Sequence, residues 1–151
     1  MSEEAVALVR RAYDVINAAG RTGEDFVDPE ELAPDLWARL ATDFELHGRP
    51  DVPDSDTYRG REAAKEFFRK LQEVWAELRW EPQEFTDLGH AVVVETRIVA
   101  VGRGSDVRIE AEETDVFWVR DGAIMKLQGF PTKADALKAA GASGSPSGSF
   151  E

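Results

Sequence analysis

Asp115 is the residue at which a chemical reading of this chain begins. It lies in Ile109-Glu-Ala-Glu-Glu-Thr-Asp-Val-Phe-Trp-Val-Arg-Asp-Gly-Ala-Ile-Met-Lys-Leu-Gln-Gly-Phe130. This stretch predicts a long strand, a tight Asp121-Gly122 turn and a returning strand, because such a turn needs positive φ where Gly costs nothing. The period-2 set Ile109, Ala111, Glu113, Asp115, Phe117 and Val119 shares one face. A carboxyl on a largely apolar face is either a satisfied structural group or one that moves protons. Glu113, one alternation away, is either a second pocket acid or a rim residue facing water, and the rim is the favoured reading. Two other residue types bear on the same chemistry. Tyr13 falls on the apolar side of a helical pattern, so its hydroxyl needs a partner inside. His47 is one of two histidines, the residue type most often used as a general base around neutral pH.

Composition excludes several alternatives. The 151 residues carry a net charge of −12, which argues against nucleic acid or an anionic membrane as partner. There are no cysteines, so thiolate chemistry and disulfides are out, and two histidines are too few for a multi-histidine metal centre. No metal and no organic cofactor is implied. Nothing approaches a membrane-spanning run or an apolar signal core, so the expected location is cytoplasmic. Internal repeats are absent.

The elements that must position these residues follow from periodicity. A first helix is predicted over Glu3–Ala19, with Ser2 as N-cap, Gly20 as stop and an inner face of Ala5, Val6, Val9, Ala12, Tyr13 and Ile16. Asp28-Pro29 predicts a cap and a first helical position, followed by a short stretch broken near Pro34 that buries Leu32, Leu36, Trp37 and Leu40. Asp43–Gly48 reads as a brief strand, and Gly48–Arg59 as a loop in which Asp51–Asp56 is solvated. A broad apolar stripe predicts a helix over Arg61–Ala76 packed on a sheet. Leu78–Leu88 is a strand with Pro82 at an edge or bulge, and His90–Val101 a strand with Val92, Val94, Thr96 and Ile98 on one face. A last helix spans Lys133–Ala140. The fold class is α+β, with helices gathered on one side of a curved antiparallel or mixed sheet, in one domain over 1–141 followed by a flexible Gly/Ser-rich tail at 142–151. Val116 and Trp118, among the reverse-face charges Glu95, Arg97, Arg108, Glu110 and Glu112, suggest a homodimer interface there.

This element order, with Tyr58-Arg-Gly-Arg-Glu-Ala-Ala, Val119-Arg-Asp-Gly-Ala-Ile and Lys133-Ala-Asp-Ala-Leu-Lys-Ala-Ala-Gly141, resembles the SnoaL-like, ketosteroid-isomerase-like branch of the NTF2-like superfamily over residues 3–141. The resemblance implies a cone of curved sheet closed by three to four N-terminal and flanking helices, with a pocket inside and usually a dimer. Ketosteroid isomerases carry a Tyr seven residues before the Gly that ends the first helix, as Tyr13 precedes Gly20. They carry a protonated Asp before a Val in the strand ahead of the last hairpin, as Asp115-Val116 stands here. Where their catalytic Asp lies, this chain has His47.

The resemblance implies that Tyr13 and Asp115 donate to an enolate oxygen while His47 moves a proton, in an isomerase- or polyketide-cyclase-type reaction on a small, mostly apolar carbonyl compound. Trp37, Phe117, Met125, Leu127 and Gly129 are its candidate wall residues. Each site residue also has a plain structural reading: Tyr13 as a core aromatic, Asp115 as its partner, His47 as a surface residue. A binding module for a hydrophobic ligand, or an inert dimerisation domain, stays open beside the enzyme, since this fold hosts many functions.

Overall fold

Helix α1 (Ser2–Ala19) buries Val9, Ala12, Tyr13 and Val15 on one side, the stripe that 3.6-residue periodicity requires. The computed structural model describes residues 2–19, 28–51, 56–105 and 107–141. The expected stop at Gly20, the Ser2 side chain as a cap, most of the Asp51–Asp56 loop and the tail from 142 lie outside the described residues. Asp28 caps α2 (Pro29–Leu32), its carboxylate accepting from the Glu30 N–H at 2.9 Å, with Pro29 in the first position where no N–H is needed. Pro34 then starts a separate turn, α3 (Pro34–Trp37), which buries Leu36 and Trp37.

Six strands follow in the order β2-β1-β6-β5-β4-β3: β1 (Leu40–His47), β2 (Thr57–Arg59), β3 (Trp75–Asp87), β4 (Ala91–Gly102), β5 (Arg108–Arg120) and β6 (Ala123–Phe130). All neighbours are antiparallel except β1 and β6, so the sheet is mixed. β2 lies where a loop was expected, since three residues are too few to display an alternation. At the β5–β6 turn, Asp121 and Gly122 both take positive φ (52° and 77°), the twist-matched two-residue connection that Asp-Gly favours. Pro82 sits on the edge strand β3 beside a register shift at Pro82/Glu84, where its missing N–H does least harm. Such bulges bend the sheet.

The sheet does not close on itself. Helix α4 (Arg61–Val74) packs against β1, β2 and β3 and so spans the gap between the two edges. Gly60, at φ 87°, leads into it, and the Arg61 Nε donates to the Leu40 carbonyl at 3.0 Å. Helix α1 crosses β3 and β4. Its Asn17 amide pairs with the Trp80 backbone in both senses, donating to the carbonyl at 2.8 Å and accepting from the N–H at 2.7 Å.

The inner face of the sheet (Val92, Val94, Phe117, Ile124) meets α1, α3 and α4 in the main core. Helix α5 (Lys133–Ala139) corrects the one-sided arrangement expected for the helices. It packs on the outer face, where Ala136 and Ala140 join Val93, Val116 and Phe130 in a second cluster with Trp118 against it. Val116 is therefore covered by the chain's own last helix, and its apolar character is no argument for a partner. Glu95 and Arg97 also face outward but pair separately, with Lys133 at 3.1 Å and with Glu110. Among the described residues no helix is long and apolar enough to cross a membrane, and no three His, Asp or Glu converge as a metal ion would need.

Candidate active site

Between α1, α4 and the inner face of the sheet lies a cavity of about 540 Å³. Strand alternation delivers Glu113, Asp115 and Phe117 to its wall from β5, and Leu127 and Gly129 from β6. Helix α1 contributes Tyr13 and Ile16, and α4 contributes Phe67, Phe68 and Leu71.

At the centre is an acid cluster. The Tyr13 hydroxyl donates to Asp115 Oδ2 at 2.6 Å and lies 3.1 Å from Thr96 Oγ1. Tyr13 is 2% exposed and Asp115 5%, and the Phe117 ring meets the Tyr13 ring edge-on with centroids 5.4 Å apart. Glu113 lies beside Asp115, and the two carboxyls are hydrogen-bonded. Burial disfavours the charged form of both. It raises Asp115 above the ordinary carboxylate range, against the hydrogen bonds from Glu113, Tyr13 and Thr96. It pushes Glu113 up to about 10, reinforced by the bond to Asp115 and by its charge. Two adjacent buried carboxyls hold a shared proton at neutral pH. The donors around Asp115 favour its ionised form, which leaves the proton on Glu113. The Tyr13 phenol is raised well above its usual value of 10.0, by burial first and then by the Asp115 charge, so it stays protonated.

Two further features seat Glu113. Gly129 pairs with Asp115 across the β5–β6 ladder, and a Cβ built at 129 would lie 2.6 Å from the Glu113 carboxyl. The missing side chain is thus the space that Glu113 fills. From the loop after β1, Arg49 approaches Glu113 at 3.5 Å while gripping Asp51 through two contacts of 2.9 and 2.7 Å. Glu113 is the second pocket acid rather than the favoured rim residue, and Arg49 was not anticipated. For Glu113 the signal existed, since it shares the parity of Asp115, whereas Arg49 lies in a segment with no periodicity to read.

The structure brings Tyr13 and Asp115 together but leaves His47 apart from them. His47 borders the cavity with Gly48, yet Leu40, Phe44 and Leu46 are the buried positions of β1, so alternation turns the His47 imidazole to the reverse face. There Nε2 meets Glu45 Oε1 at 2.7 Å and Nδ1 lies 3.4 Å from Thr57 Oγ1. Met125 is off the wall as well. The β5–β6 register shifts at Trp118/Val119, where Met125 is the extra residue, so the parity of β6 changes and Ile124 takes the inner face. Phe117, Leu127 and Gly129 line the cavity. Trp37 lines a smaller apolar chamber next to it.

Comparisons with known proteins bear on this geometry. The sequence matches the SnoaL-like domain family over residues 9–127. None of the curated proteins matches the chain. Among solved structures, a protein from Jannaschia sp. proposed to be a SnoaL-like polyketide cyclase is similar at 20% identity and TM-score 0.69, covering 92% of each chain. An NTF2-like protein of unknown function from Burkholderia pseudomallei is similar at 19% identity and TM-score 0.67, covering 89% of this chain and 95% of that one. A hypothetical protein with a ketosteroid-isomerase-like fold from Catenulispora acidiphila, in complex with trimethylamine, is similar at 13% identity and TM-score 0.66, covering 92% and 97%. At these identities the structural likeness speaks for the fold. Together with the family match over most of the chain, it makes this protein a member of the SnoaL-like family, with the α+β NTF2-like fold of cyclases and ketosteroid-isomerase-like proteins.

Proposed function

We propose that the chain binds a small, largely apolar carbonyl compound and acts on it by cofactor-independent proton transfer, as an isomerase- or polyketide-cyclase-type enzyme. The observation that carries this reading is the buried Tyr13–Asp115–Glu113 cluster on the wall of an otherwise mostly apolar cavity. In this reading the ligand oxygen meets Glu113, the cluster member with most access to the cavity. As the α-hydrogen passes to the Asp115 carboxylate, the Glu113 proton moves to that oxygen and Arg49 stabilises the Glu113 carboxylate left behind; the reverse transfers at another carbon complete the turnover. Tyr13 is a positioning residue that holds Asp115. His47, with its ring turned away, takes no part. The reaction class follows the Jannaschia neighbour's description.

A second reading, a binding module without turnover, is favoured by one observation: the Tyr13 hydroxyl is already committed to Asp115. Fluorescence titration with equilenin, a phenolic enolate mimic, tests the pocket in wild type, Glu113→Gln, Tyr13→Phe and His47→Ala. The proposal expects binding that weakens about tenfold or more in the first two variants and is unchanged in His47→Ala. Exchange of α-hydrogens of a bound ketone in D₂O, followed by NMR, separates enzyme from binder. Equal affinity in all four proteins refutes the role given to the cluster.

A further inference from the structure

Next to the main cavity lies an apolar chamber of about 50 Å³, lined by Ala12, Val15, Leu36, Trp37, Phe44 and Ala64 among others. No residue with a charged or hydroxyl-bearing side chain lines it. It shares Ile16, Phe68, Phe117 and Leu127 with the main cavity, so these four residues form the partition between the two. Protein interiors pack densely and hold few voids larger than a water molecule, because an empty apolar space forfeits contacts on every side. A void of this kind stays dry and accepts apolar guests. Here it lies behind Phe117, two positions along β5 from Asp115, on the side away from Arg49.

We propose that this chamber is a second compartment of the ligand site, which takes a short alkyl end while the oxygenated end meets Glu113. The substrate class is thereby narrowed to an elongated carbonyl compound with one polar end and a slim apolar tail. At roughly 10–15 Å³ for each water-sized group, the chamber holds a tail of a few carbons. The four partition residues are all apolar, so displacing them toward the chamber wall unpairs no hydrogen bond. The proposal rests on the function argued above for the polar end alone, since the chamber's affinity for an apolar guest does not depend on that cluster.

The test uses phenol, 4-ethylphenol, 4-propylphenol and 4-butylphenol, titrated calorimetrically against the full chain, with xenon as an independent probe of the chamber by ¹²⁹Xe NMR. Each methylene that enters should tighten binding about fourfold, and Ala64→Leu, which fills the chamber, should abolish the gain while leaving phenol itself unaffected. Ala12→Leu fills it from a different helix and serves if the first variant folds poorly. Phenol binding without any gain along the series, or a gain that survives filling, overturns the chamber and leaves the proposed function standing. Xenon binding that Ala64→Leu removes, with no phenol binding at all, supports the chamber and refutes the polar-end reading. Neither phenol nor xenon binding overturns both.

Discussion

The proton held on Glu113 should make the stability of this protein fall as the pH rises, and Glu113→Gln should remove that fall. An acid whose folded pKa is raised is fully tolerated below its unfolded value, where both states are protonated. Above it, the unfolded chain ionises freely and the folded chain does not, so stability is lost until the folded pKa is reached. For Glu113 the window runs from the ordinary 4.5 to about 10. Within it, one retained proton costs about 1.4 kcal/mol per pH unit, so from pH 6 to pH 8 wild type should lose about 3 kcal/mol more than Glu113→Gln. At about 3 °C per kcal/mol for a chain of this size, that is a difference of about 9 °C in Tm. Gln preserves the shape and can still donate to Asp115. Arg49 is the group that could cancel the effect by ionising Glu113, but it lies 3.5 Å away and its shorter contacts go to Asp51. Urea unfolding of both proteins at pH 6, 7 and 8 measures the slopes. Parallel slopes would show Glu113 to be a carboxylate paired with Arg49, and the assignment of the proton would fail.

Gly129→Ala should keep the fold, because the nearest atoms to the new Cβ belong to the movable end of Glu113, but it should weaken equilenin binding about tenfold by displacing that carboxyl; unchanged affinity refutes the seat described for Glu113. Asn17→Ala leaves the Trp80 N–H and carbonyl without their amide partner and should cost about 1–3 kcal/mol in urea unfolding, with hydrogen exchange fastest at Trp80. A loss below ~0.5 kcal/mol would mean that water replaces the amide.

Much of the site was legible without coordinates. Asp121-Gly122 could only be a tight turn between β-rich runs, and the parity of β5 put Asp115 with Phe117. Helical spacing sent Tyr13 inward, toward the sheet. These are properties of single elements, in which the phase of the pattern is set locally. The turn of His47 was legible too: Phe44 and Leu46 are the apolar positions of β1, so their neighbours Glu45 and His47 had to face the other way.

The rest depends on how elements meet. A one-residue bulge at Met125 resets the phase of β6, and no alternation counted along that strand alone reveals it. Val116 resembled part of a surface awaiting a partner until α5 folded back over it, a contact between distant parts of the chain. Glu113 showed the sharpest limit. Its residue type and position suit a solvated rim, and only Gly129 across the ladder and Arg49 from a loop make its seat. Local sequence determines which way a side chain points; whether that direction leads to water or to a second carboxyl is decided by the segments that close over it.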